Sequence, residues 1–392
     1  MKEVRIGVIG CGIMGQGHMG YFAALPKLRF TAAADIDPQA LKAPAEKYHV
    51  ATFDSGTKLL DSGLVDAVII ATPHYFHPPL AIAAFARGIH VMSEKPLAVT
   101  TQAAAQVIAA HQKHPKLMFG VMFMMRTTPV YRKAKEIIDS GVLGELQRVN
   151  WIVTNWFRSQ AYYNAGGWRA TWAGEGGGVL MNQCPHNLDL FQWLVGLPSK
   201  VQAHIGIGKY HDIEVEDEVT AYLEFANGAT GVFITTTGEA PGTNRLEIVG
   251  DRGKMVLDGS PRIDITQTQV SVSRFCRSTP DLFPNMPTTR LTVEVDPPVD
   301  AGHRLVTEAF VQAILTGDKK VMIAQGEEGI RGVELNNAMM MSGLTGKTVS
   351  VPVDGAAFAR LLQKLAKTSK FKKKVVKAAA ADLGASFQKP GR

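Results

Sequence analysis

Three glycines, Gly10-x-Gly12-x-x-Gly15, follow the apolar run Val4-Arg5-Ile6-Gly7-Val8-Ile9 and precede a helical pattern. That order reads as a strand, a tight turn and a helix N-terminus, the arrangement that cradles a dinucleotide pyrophosphate. Gly10 permits the turn, and Gly12 lets the backbone approach the phosphates with no Cβ in the way. Gly15 lets the helix pack close to the strand, while Ile13 and Met14 present backbone N–H groups at the helix start. The next apolar run, Phe30 to Ala34, ends in Asp35, twenty residues past Gly15. A carboxylate there accepts hydrogen bonds from the adenosine ribose. It repels a 2′-phosphate by about 4 kcal/mol, for like charges ~4 Å apart at an effective dielectric of ~20. The combination implies NAD in preference to NADP. A glycine turn in another kind of α/β domain is the competing reading.

Two further apolar runs end in polar groups. Leu64 to Ala71 leads into Thr72-Pro73-His74-Tyr75-Phe76-His77, and His90-Val91-Met92 leads into Ser93-Glu94-Lys95-Pro96. Ligands of doubly wound sheets sit at the carboxyl ends of the strands. Thr72, Pro73, His74, His77, Glu94 and Lys95 are therefore expected around the nicotinamide end of the cofactor. His74 and His77 lie three apart, but no carboxylate or cysteine nearby completes a ligand set, so no metal is expected.

These groups need a scaffold. Up to about residue 123, short apolar runs alternate with helical segments such as Leu80 to Ala86 and Thr100 to His111, which predicts a doubly wound parallel sheet. After a helix over Pro129–Ser140 the pattern changes. Val149–Thr154, Val201–Ile207, Val219–Phe225, Thr230–Thr236, Leu246–Val249, Lys254–Leu257 and Leu291–Val295 all read as strands. A helix is expected over Val179–Val195, and two more over His303–Thr316 and Gln325–Leu344. Residues 258–290 read as a long loop or irregular strands. The expected fold is α/β plus α+β: an N-terminal Rossmann domain (1–125), then an open, mostly antiparallel sheet domain flanked by helices (126–353) for substrate binding and oligomerisation. Residues 354–392 read as a basic helical tail, solvated and frayed at its end.

The 392 residues carry a formal net charge of +7, yet residues 364–392 alone hold nine Lys/Arg against Asp382. The remainder is close to neutral, which argues against a nucleic-acid-binding body. No apolar stretch reaches the ~20 residues of a membrane span. The first strand begins at once, leaving no room for a signal peptide, and Cys11, Cys184 and Cys276 are scattered singly. A reduced, cytoplasmic enzyme is expected.

Two stretches carry a family resemblance: Asp66-Ala67-Val68-Ile69-Ile70-Ala71-Thr72-Pro73 with the later Gly88-Ile89-His90-Val91-Met92-Ser93-Glu94-Lys95-Pro96, and Gly176-Gly177-Gly178-Val179-Leu180-Met181-Asn182-Gln183-Cys184-Pro185-His186-Asn187-Leu188-Asp189. With the glycine motif, they resemble the Gfo/Idh/MocA oxidoreductases over roughly residues 3–353. The resemblance implies that Lys95 and His186 flank the site of hydride transfer to or from a carbinol of a sugar, sugar derivative or cyclitol. It also implies a homodimer or homotetramer. Many members have a carboxylate four residues before the histidine, where this chain has Asn182. An amide takes up no proton, so Asn182 is expected to orient substrate hydroxyls. Lys95 is assigned to alkoxide stabilisation and His186 to proton exchange, with the reverse assignment open.

All five tryptophans fall between Trp151 and Trp193, among Phe157, Arg158, Tyr162, Tyr163 and Arg169. Aromatic faces beside Arg and Asn suit a carbohydrate. Trp168 and Arg169, with Tyr163, are the expected substrate contacts; a core or subunit interface would use the same residues. Arg126, after the last strand of the first domain, either faces the substrate or forms a structural ion pair. Two rival functions remain: an NAD-dependent glycoside hydrolase working by transient oxidation, elimination and re-reduction, and a non-catalytic NAD- or sugar-sensing regulator.

Overall fold

The computed structural model describes residues 2–296 and 302–369. Lys370 to Lys377, the basic part of the expected tail, lies outside the described residues.

The first sheet is parallel throughout. Its strands are β1 (Val4–Ile9), β2 (Leu28–Ala34), β3 (Ala51–Phe53), β4 (Ala67–Ile70), β5 (His90–Ser93) and β6 (Phe119–Val121), in the order β3-β2-β1-β4-β5-β6. Every residue of β4 is buried, as helices on both faces require of a strand written as a continuous apolar run. The order reverses between β1 and β4, and there a crevice opens at the strands' carboxyl ends. Side-chain caps start the helices: the Ser55 hydroxyl accepts from the Lys58 N–H, and that of Thr100 from Ala103. The three-residue β3 was too short to leave a periodic signal.

The second sheet has nine strands: β7 (Leu146–Val153), β8 (Lys200–Ile207), β9 (Glu216–Glu224), β10 (Thr230–Thr236), β11 (Asn244–Gly250), β12 (Gly253–Leu257), β13 (Arg262–Thr268), β14 (Thr288–Glu294) and β15 (Val349–Ser350). They run in the order β14-β13-β12-β11-β7-β10-β9-β8-β15, with β7 and β10 the parallel pair. Burial alternates along β9: Val219, Ala221 and Leu223 face the helices, while Thr220 and Tyr222 face outward. Across the outer face Tyr222 pairs with Val232, and Thr220 and Ile152 flank Ile234.

Four expectations are corrected. Residues 258–290, expected as a long loop or irregular strands, hold the regular strand β13, a short helix, Val272–Ser278, and the start of β14. The helix expected over Val179–Val195 is two, Val179–Asn182 and Pro185–Val195, because Pro185 has no N–H to continue the first and instead starts the second. The helix His303–Thr316 does not belong with the second sheet. It returns to β1 and β5, where Val306, Phe310, Val311 and Ala313 complete the Rossmann core. Finally, the helix Gly355–Thr368 is no solvated tail: Phe358 and Leu362 are buried in the core beneath the second sheet. Burying that phenylalanine stabilises the contact by about 2 kcal/mol.

Candidate active site

The glycine turn is defined by what would collide there. Gly10 has φ +97°, and a Cβ on it would lie 2.5 Å from the Ala71 carbonyl oxygen at the end of β4. A Cβ on Gly15 would fall 1.9 Å from the Gly10 oxygen. Gly12 is different: a Cβ there meets nothing within 4 Å, so the space above this backbone is open. The helix Ile13–Tyr21 starts here with no side-chain cap and no acidic residue in its first turn, and Ile13 is 44% exposed. An open, uncapped helix N-terminus over a glycine is what a pyrophosphate needs. Asp35 lies at its edge, half-buried, accepting from the Cys11 N–H at 2.7 Å and the Asp37 N–H at 2.8 Å. Both observations fit a dinucleotide with a free ribose 2′-hydroxyl.

On the other side of the crevice, Lys95 follows β5. Its Nζ donates to the Asn182 carbonyl at 2.8 Å, bridging the two domains. Burial lowers the basicity of Lys95; the Glu94 charge opposes this and Arg169 adds to it. His186, in the first turn of Pro185–Val195, is 2% exposed, and its buried Nδ1 has no protein partner among the described residues. Burial first and the Lys95 charge second hold its pKa well below the ordinary imidazole value. Thr72 Oγ1, just past the end of β4, is likewise buried without a partner among the described residues, next to Pro73 on the same turn.

Trp168 and Arg169 approach from the loop before the glycine run. The Arg169 guanidinium lies 4.8 Å over the Trp168 and Tyr162 rings and donates to the Tyr162 hydroxyl at 2.8 Å. The Trp168 ring meets that of His74 edge-on at 5.6 Å. Ala170, next in the chain, has φ +50°, a conformation costing a residue with a Cβ about 1–2 kcal/mol. Gly178 packs so tightly that a Cβ would fall 1.9 Å from the Glu216 carbonyl. The Glu216 carboxylate accepts from the Gly178 and Leu180 N–H groups, and burial pushes its pKa up to about 7.

Lys95, His186, Asn182, His74, Trp168 and Arg169 thus gather at the interdomain crevice. Four other expected contacts are corrected. Arg126 is 3% exposed and makes a bidentate ion pair with Asp189 at 2.6 and 2.8 Å, with Glu328 at 2.7 Å; it braces the helix that carries His186. Tyr163 is buried, its hydroxyl 2.7 Å from Thr237 Oγ1, and belongs to the core. His77 touches no open space, since its Nδ1 and Nε2 each lie 2.8 Å from a backbone carbonyl, of Pro96 and Thr72. Glu94 is 4% exposed and engaged by His18 Nε2 at 2.8 Å and the Lys95 N–H at 3.1 Å. Burial works against the Glu94 charge, but His18, with the nearby His303 and Lys95, more than offsets it and holds the carboxyl far below its usual range. His77 and Glu94 are therefore braces for the loops that carry Thr72 and Lys95.

Sequence reasoning missed Glu175, a buried carboxylate that accepts from the Asn182 side-chain amide. Its one signal was an acid placed directly before Gly176-Gly177-Gly178. His303, 3.9 Å from Glu94, left no signal, because it arrives from a distant helix.

Residues 4–123 match the GFO/IDH/MocA oxidoreductase family, NAD-binding Rossmann fold, and residues 131–256 match the GFO/IDH/MocA C-terminal domain. Levoglucosan dehydrogenase of Pseudarthrobacter phenanthrenivorans is 28% identical over 300 residues, spanning 68% of this chain and 76% of that protein. Inositol 2-dehydrogenase of Burkholderia cenocepacia is 27% identical over 268 residues, spanning 67% and 76%. The crystal structure of the WlbA dehydrogenase from Chromobacterium violaceum, in complex with NADH and UDP-GlcNAcA, matches with a TM-score of 0.75 at 28% identity. That match covers 90% of this chain and 97% of the other.

Proposed function

The chain belongs to the Gfo/Idh/MocA family of NAD-binding oxidoreductases, and from that premise we propose that it oxidises a secondary hydroxyl of a sugar, sugar derivative or cyclitol. The observation that carries the reading is the pairing of a half-buried lysine with a buried, neutral histidine at the interdomain crevice. Levoglucosan and inositol dehydrogenases among the relatives support the substrate class.

NAD, when bound, supplies the two-electron acceptor. Gly10, Gly12 and Gly15 with the first turn at Ile13 and Met14 hold its pyrophosphate, and Asp35 holds its adenosine ribose. Thr72 and Pro73 border the nicotinamide end. The remaining work falls to the protein's side chains. The Lys95 ammonium faces the substrate oxygen and stabilises negative charge as the O–H proton leaves. His186 takes that proton. Asn182 fixes Lys95 through its carbonyl, so its part is positioning rather than proton uptake. Trp168 offers an apolar face to a sugar ring, and Arg169 offers donors to its hydroxyls.

We place the protein in the cytoplasm, as a homodimer or homotetramer that buries the outer face of the second sheet. Tyr222, 44% exposed, with Ile152, Val232 and Ile234 beside it, gives that face its apolar character.

The deciding experiment incubates the purified protein anaerobically with NAD and a panel of free sugars, cyclitols and aryl glycosides, following NADH and released aglycone together. NADH formed in proportion to one substrate class is the expected result. Aglycone release without NADH would replace the proposal with redox-cycling hydrolysis, and silence in both channels with NAD bound would point to a sensor.

A further inference from the structure

Glu175 is 1% exposed, and its two carboxylate oxygens serve two different segments. Oε2 accepts from the backbone N–H of Ala170, directly after Trp168–Arg169, and Oε1 accepts from the side-chain amide of Asn182. The backbone carbonyl of the same Asn182 receives the Lys95 ammonium. The backbone around the glutamate is closely packed. Its N–H donates to the Thr171 carbonyl at 2.9 Å, and a Cβ on either neighbouring glycine would strike protein, 2.4 Å from the Trp168 oxygen at Gly174 and 2.3 Å from Val99 at Gly176.

Lys95 stands among four charged groups: Glu94 and Glu175 favour its ammonium, Arg158 and Arg169 oppose it. His74, His186 and His303 face the same charge, each weakened as a base by it, and the Cys184 thiol feels it too. Glu216 and Tyr163 sense the Glu175 charge from the second sheet's side. Glu94, on the nucleotide side, is engaged by His18, and Glu175 adds its charge to Lys95 from the substrate domain.

We propose that Glu175 is a positioning residue, a single buried carboxylate that ties the Trp168–Arg169 loop to the Lys95 ammonium through Asn182. It rests on the reading of Lys95 as the group that meets the substrate oxygen. One charge then sets two things at once: where the loop stands and how firmly Lys95 keeps its proton. Arrival of a substrate against Arg169 and retention of the Lys95 charge are coupled through the same side chain.

The test needs no identified substrate. In the full-length protein, competitive acetylation of Lys95 is followed against pH by peptide mass spectrometry, in wild type, Glu175→Gln, Glu175→Asp and the double variant Glu175→Gln/Asn182→Asp. Loss of the negative charge in Glu175→Gln moves the Lys95 midpoint down by about one pH unit, the size expected of a nearby opposite charge. The double variant, which returns a carboxylate one hydrogen bond away, moves it back up. NADH affinity by fluorescence stays within twofold, since Glu175 lies apart from the glycine loop. A loss of packing alone would lower the amount of folded protein without moving the midpoint. An unmoved midpoint in folded Glu175→Gln overturns the proposal. If that variant does not fold, Glu175→Asp decides, because withdrawing the carboxylate by one methylene shifts the midpoint part of the way down and an unchanged value refutes the link. Near-normal turnover in Lys95→Ala would instead sink the catalytic reading of Lys95, while the labelling result still decides the Glu175 coupling.

Discussion

The Lys95 ammonium donates to the Asn182 carbonyl across 2.8 Å, so a strand end of the nucleotide domain and a helix of the substrate domain meet at one proton-rich group. Truncating it to Lys95→Ala removes the charge offered to a developing alkoxide. Turnover is expected to fall on the order of 10²-fold or more, with NADH affinity nearly unchanged. Steady-state rates beside fluorescence titration check this. Turnover within a few-fold of wild type would take Lys95 out of the mechanism.

The glycines of the first turn are not equivalent, and alanine substitution separates them. Gly12→Ala places its methyl group in open space, so the protein keeps its thermal midpoint but loses NAD affinity by tenfold or more. Gly15→Ala drives a methyl into the Gly10 carbonyl and lowers the melting temperature itself. Calorimetry and NADH titration on the two variants should give opposite patterns; equal loss of stability in both would remove the cofactor role of Gly12.

His186 and Lys95 both have their basicity lowered, which fixes the sign of the pH profile. His186 accepts a proton only when neutral. The acid limb of turnover is therefore expected below pH ~6.5, the ordinary histidine value. Lys95 acts as the ammonium, so the alkaline limb falls below the ordinary lysine value of ~10.4. His186→Asn should abolish the acid limb along with most of the rate. An acid limb surviving unchanged in that variant would mean that another group takes the proton.

Arg126 is expected to matter for folding rather than for substrate. Replacing it by methionine leaves Asp189 buried with its charge unpaired, a change that typically costs about 3–5 kcal/mol. Denaturant unfolding measures the loss, and the double variant Arg126→Met/Asp189→Leu should recover much of it. A raised KM with full stability would return Arg126 to the substrate site.

The glycine turn was legible because it depends on local sequence: glycines at Gly10 and Gly15 that admit no Cβ and a carboxylate at a strand end are all written within forty residues. Most strands of both sheets were legible for the same reason, through continuous burial in β4 and alternation in β9, whereas β3, β13 and β15 were not. What stayed hidden depends on partners far along the chain. Arg126 stood open between substrate and ion pair until Asp189 and Glu328 arrived beside it, and His77 looked like a ligand contact until Pro96 and Thr72 turned their carbonyls to it. Glu175 was hidden differently: its neighbours in sequence are glycines, and its role appears only when Asn182 folds back seven residues later.

The return of the helix His303–Thr316 to β1 and β5 bears on how the chain is made. Phe310 is wholly enclosed there, and the Tyr21 hydroxyl, 2.8 Å from Thr307, connects that helix through His18 to Glu94. A ribosome that has released all six strands of the first sheet has therefore not yet supplied the layer that closes it. The nucleotide domain waits, its face against that helix incomplete, until strands β7 to β14 of the second sheet have been translated, and no single cut between the two sheets yields it complete.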